Sequence, residues 1–303
     1  MFNVVDMDET DDTIEVIASQ FFGEKVTLHS IQRGVIPKVS FKRDIDVKCG
    51  KAFGCIVADL DVTKRTSTSP TTSQRVIESG STVATLQPGD QFTHLLVTSH
   101  ECSFREESKP QKGVFTRKKS VDKSEGAQPT ARTNSSIDGG SLFAYRVPIG
   151  RDKWKTEEWQ RSTVGTGFEV QGQLNNMINP GAPGFVYTFH ARLQDKTGRE
   201  KKRPLIAVAG DCSESAYVFR PTEAAEASRC DVDNCNDDAS AKYDLMCEIK
   251  CGATVGSIGV GYAPFCESEM EQEAGYAKLY IPCYEDDKIL VFGLGSGEDE
   301  ALG

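Results

Sequence analysis

A hairpin that occurs four times limits what this chain can fold into. Its copies are "IEVIASQFFGEKVTLHS" (14–30), "THLLVTSHECS" (93–103) continued by "GSLFAYRVP" (140–148), "LIAVAGDCSESAYVFRP" (205–221) and "LYIPCYEDDKILVFGL" (279–294). Each reads strand, turn, strand. Phe21 to His29, Asp211 to Phe219 and Tyr284 to Phe292 each span eight positions, and "KVTLH", "SLFAY", "SAYVF" and "KILVF" superpose without gaps. A lone hairpin has no stable core, so the copies must cover one another. A further apolar strand precedes each: "FNVVDMD", "AFGCIVADLD", "GAPGFVYTFHA" and "VGSIGVGYAPF". Strand, polar loop, strand, tight turn, strand in serial copies is the pattern of β-propeller blades.

The expectation is an all-β, propeller-like single domain over 1–303, with four recognisable blades at about 1–31, 41–148, 152–221 and 243–294 and almost no helix. Insertions at 62–90 and 104–139 are rich in Ser, Thr, Lys, Pro and Gly and read as long surface loops. A shorter acidic connection runs from 223 to 242.

The stretches "VVDMDETDDTIEVIA" and "IVADLD" with "DQFTHLLVT" resemble the FG-GAP or VCBS repeat of β-propellers. Those blades open on an apolar strand ending in Asp-x-Asp-x-Asp-Gly and continue into a strand such as "DLLVT". The stretch "STVGTGFEV" after Trp159, with the hairpin that follows, is similar to the propellers of secreted fungal lyases of the aldos-2-ulose dehydratase type. The resemblance implies a ring that usually has seven blades. The start in mid-strand at "MFNVVDMD" therefore reads as part of a seven-bladed ring without its leading blades, rather than as a small closed ring. An open array exposes edge strands, through which oligomers are expected to join.

Charge narrows the partners. Forty-five acidic against 35 basic residues give a net charge of -10, which disfavours nucleic acid. No apolar run reaches the ~18 residues of a membrane span, and the acidic amino terminus is unlike a signal peptide. The sequence thus reads as soluble, without membrane insertion or a signal peptide; its compartment is unassigned, although the resembled proteins are often secreted. The ten cysteines include no CxxC pair. Cys55 and Cys283 sit in apolar strands as small hydrophobes, and a Cys230 to Cys235 disulfide is left open.

Two sets of residues carry candidate chemistry. Calcium needs oxygen ligands at alternating positions with a glycine in the turn. Asp6 and Asp8 hold such positions, and Asp59 and Asp61 begin a similar loop, although no glycine follows Asp8 and the second loop runs into an insertion. They are the candidate ligands for Ca2+ or another divalent metal, against a plain role as turn-forming carboxylates. In a propeller, the turns between second and third strands converge at one end of the ring. That places His100, Asp211, Glu214 and Tyr284 as a candidate catalytic set, with Gln20, Glu101 and Glu285 as ligand-binding neighbours. His29, His94 and His190 read as structural.

Two functions follow. One is a binding propeller for a carbohydrate or protein ligand, which needs only polar turns. The other, which the resemblance implies, is a carbohydrate lyase or dehydratase acting on a keto-sugar through the funnel residues. Binding is preferred, because fold likeness is a weak warrant for chemistry. No GxSxG elbow, Walker loop or GxGxxG before a helix is present, which speaks against serine hydrolase and nucleotide chemistry.

Overall fold

The computed structural model describes residues 2–5, 12–61, 92–100, 140–148, 153–168, 183–197, 202–211, 213–227, 242–262 and 275–295. They form an all-β structure, 62% strand and 8% helix, in four antiparallel sheets that follow one another along the chain. The first sheet holds β1 (Phe2–Val5), β2 (Thr13–Gln20), β3 (Lys25–Gln32) and β4 (Lys38–Asp46). The second holds β5 (Lys51–Ala58), β6 (His94–His100), β7 (Gly140–Arg146) and β8 (Gln160–Phe168). β9 (Val186–Phe189), β10 (Leu205–Ala209), β11 (Ser215–Pro221) and β12 (Tyr243–Lys250) make the third. The fourth has β13 (Gly259–Gly261), β14 (Lys278–Cys283) and β15 (Lys288–Gly293). Spatial order equals chain order in every sheet, so each is a simple meander. Short helices α1 (Lys153–Thr156), α2 (Leu193–Thr197) and α3 (Glu223–Ala227) lie in the connections.

The repeated hairpins are the second and third strands of each sheet, and the apolar strands before them are the first. The sheets divide the chain differently from the expected blades, because each outermost strand stays with the sheet before it. β4 pairs with β3, β8 with β7 and β12 with β11. The expected boundaries at 41, 152 and 243 handed these strands wholly or largely to the next blade. Their sequences, "KVSFKRDID", "QRSTVGTGF" and "YDLMCEIK", show why. An outermost strand has one neighbour and little to bury, so it lacks the apolar signature of an inner strand.

The sheets pack face to face. One core cluster joins Val5, Ile17, Val26 and Leu28 of the first sheet to Cys55, Leu95, Val97 and Tyr145 of the second. Another joins Leu96, Leu142 and Val164 to Ile206, Val208 and Phe219 of the third. The last joins Ala207, Ala209 and Val218 to Leu279, Ile281 and Cys283 of the fourth. The consequence is clearest in β6, where every residue is buried because the second sheet is covered on both faces. None of these clusters joins the fourth sheet to the first. The described cysteines Cys49, Cys55, Cys251 and Cys283 are buried, and Cys247 is half-buried. Among the described residues no helix is long and apolar enough to cross a membrane.

Candidate functional site

The turns of the repeated hairpins meet the first strands of the next sheets along one end of the stack. Phe21, in the β2–β3 turn, lies edge-on to Phe53 of β5 at 6.3 Å and to His100 at 5.4 Å. His100, the last residue of β6, stacks on Phe53 at 5.2 Å with 21° between the rings. Phe53 also meets Phe185, just before β9, at 5.1 Å. In the third sheet, the Asp211 amide donates to the Val255 carbonyl at 2.9 Å and the Val255 amide returns the bond at 3.3 Å.

Close backbone approach makes this possible. A Cβ on Gly54 would lie 2.8 Å from the Gly184 carbonyl and 3.1 Å from the Phe185 Cα, so only glycine fits between the two first strands. Thr98 ties them together, donating to the Gly184 carbonyl at 2.7 Å and accepting from the Gly54 amide at 2.8 Å.

His100 is fully buried. Its Nε2 lies 2.6 Å from the Pro183 carbonyl, which makes that nitrogen the proton donor. The other nitrogen, Nδ1, then carries a lone pair and has no hydrogen-bond partner among the described residues. Burial, reinforced by the charge of Lys51 and partly offset by the Pro183 carbonyl, lowers the His100 pKa to about 4. The imidazole is therefore neutral at physiological pH.

The other candidates divide by exposure. Asp211 is buried and holds φ at 48°, and Glu214, exposed at the far side of the same turn, holds 53°. The turn closes tightly on Gly210, where a Cβ would fall 2.3 Å from the Ser215 carbonyl. Tyr284 is 61% exposed at the β14–β15 turn, against Gly256. Gln20 spends its side-chain amide on the Thr27 hydroxyl at 3.0 Å. Glu285 lies in the short 3-10 turn after β14. Glu101, Asp6 and Asp8 lie outside the described residues, as does the Cys230 to Cys235 pair.

Asp59 and Asp61 stand at the opposite end of β5. Asp59 is exposed and accepts from the Thr93 hydroxyl at 3.3 Å. Asp61 is buried between two guanidiniums, with Arg146 at 3.3 Å on one oxygen and Arg203 at 3.5 Å on the other. A carboxylate so engaged does not fit a cation, since both oxygens already face positive charge. His94 lies beside this cluster, bonded through Nδ1 to the Thr93 hydroxyl at 2.8 Å, and burial lowers its pKa to about 4. His29, facing Thr27 and Phe41, also has a structural setting.

Reading the turns alone missed Phe53 and Phe185. Their signal was a phenylalanine next to a glycine in "FG" at 53–54 and "GF" at 184–185, where two first strands approach. Phe22, 92% exposed beside Phe21, was missed as well. No family model matches the chain, and no curated protein matches it.

Proposed function

We propose that the sheets are consecutive blades of a β-propeller of the FG-GAP or VCBS kind, and that the chain is a binding module. Its ligand, a glycan or a protein, engages the end of the stack where the hairpin turns lie. The serial meanders and their face-to-face packing support the propeller. The observation that carries binding over catalysis is the state of His100. It is the candidate base, yet it is fully buried under Phe21 and Phe53, where a sugar proton does not reach it. What this end offers to solvent is the Phe22 ring in the first sheet and the Glu214 carboxylate in the third. Apolar ring faces with a few polar groups are the usual furniture of a polyol or peptide site.

A glycan array followed by titration calorimetry tests the reading. A glycan should bind, and Phe22→Ala and Glu214→Ala should each weaken it about ten-fold, the loss of an ordinary aromatic or polar contact. Binding that ignores both substitutions would place the site elsewhere. The lyase alternative is tested on the same protein with osone-type sugars, with and without chelator. An ultraviolet-absorbing enone that His100→Ala abolishes would replace the binding reading with catalysis.

A further inference from the structure

The two terminal sheets each present an apolar face that the interior sheets bury. On the first sheet, register aligns the rows Val16, His29, Phe41 and Ile14, Ile31, Val39, with Phe2 and Val4 completing the face on β1. Phe2, Val39 and Phe41 are 57%, 63% and 56% exposed. On the fourth sheet, Tyr280 pairs with Val291 and Pro282 with Ile289, and the β15 members of these pairs, Val291 and Ile289, are 54% and 63% exposed. From these two faces we infer that a second copy of this chain covers them, the fourth sheet of each copy packing on the first sheet of the other to close an eight-sheet ring.

The existing interfaces supply the template. Gln20 and Cys283 hold the same place at the end of a second strand, paired with Lys25 and Lys288 across the turn. Phe21 and Tyr284 are therefore equivalent turn residues. Phe2 stands opposite Ala18, two residues before the end of β2, and Phe53 lies in the corresponding stretch of the second sheet, in the β5 bulge between the pairs Ala52–Ser99 and Cys55–Val97. Phe21 already lies against Phe53 within the chain. The same step applied to the fourth sheet sets Tyr284 of one copy against Phe2 of the other. Both of these aromatics are more than half exposed.

Area selects a closed pair over a single contact. Strand spacing of ~4.8 Å and a rise of ~3.3 Å per residue give the smaller face, that of the three-stranded fourth sheet, about 300 Å², which limits each contact. One contact then buries roughly 600 Å² in all, the size of a lattice contact, whereas two copies closing twice bury about 1,200 Å², where stable interfaces begin. Head-to-tail contacts of this kind make rings only when the rotation closes, and filaments when it does not.

Sedimentation velocity on the 303-residue chain across a hundred-fold concentration range tests this. The expected result is a species of twice the chain mass. Val39→Asp and Val291→Asp, each on a different face, should both give monomers with an unchanged far-UV circular dichroism spectrum. Mixing the two variants restores one contact and should yield only a weak heterodimer. A monomer at every concentration overturns the inference, as do filaments that lengthen with concentration or a dimer that both substitutions leave intact. The glycan titration can be run on the monomeric variants, so a failed dimer and a failed ligand are told apart.

Discussion

His100 and His94 sit in the folded protein with pKa values near 4, against 6.5 for a free imidazole, because burial penalises the cation. Between those values the unfolded chain binds protons that the folded chain refuses, so stability falls as the pH drops. The stabilisation is whole above pH 6.5 and is lost progressively down to about pH 4, at most a few kcal/mol for each histidine. Urea unfolding at pH 7.5, 6, 5 and 4.5 should show that slope, and His100→Phe should flatten part of it while keeping the ring stack on Phe53. An unchanged slope in that variant would mean that other groups set the acid limit. The sequence disclosed His100 as a turn-end imidazole but could not disclose its state. The residues that bury it, Phe21, Phe53 and the Pro183 carbonyl, come from three different sheets or their approaches. The same holds for Asp61, which reads as a calcium ligand until Arg203, 142 positions away, is brought against it.

At the scale of strands, what was legible is what is local. The second and third strands of each sheet announce themselves by a tight turn between apolar runs, and the first strands by small and aromatic residues. The outer strands β4, β8 and β12 carry charges, hydroxyls and glycines, so their membership is decided by pairing that the sequence does not display. The junction between first strands is the element most sensitive to change. Thr98→Val keeps the shape but strips the Gly54 amide and the Gly184 carbonyl of their shared partner, which should cost about 1–3 kcal/mol. Gly54→Ala should cost at least as much, because its methyl meets backbone that cannot step aside. Chemical denaturation of both variants checks the order, and a neutral Gly54→Ala would show that the sheets do not approach as described.

For the molecule as a whole, packing grades stability from the middle outward. β6, β7 and β10 are buried almost throughout, while β15 is exposed along nearly its full length and β4 over its first five residues, Lys38 to Lys42. Amide hydrogen exchange should therefore be slowest in the second and third sheets and fastest in β4 and β15. Uniform protection in a monomer would instead require the first and fourth sheets to touch. If copies pair, β4 and β15 should gain protection as concentration rises while β6 stays the same. The buried cysteines turn the same gradient into chemistry. A thiol reacts with an alkylating reagent only when it is exposed and ionised, and burial at Cys55 and Cys251 both hides the sulfur and raises its pKa. Each therefore reports the opening of its own sheet boundary, Cys55 between the first and second sheets, Cys251 and Cys283 between the third and fourth. Timed alkylation read by peptide mass would follow the stack coming apart joint by joint, with no label added to the protein.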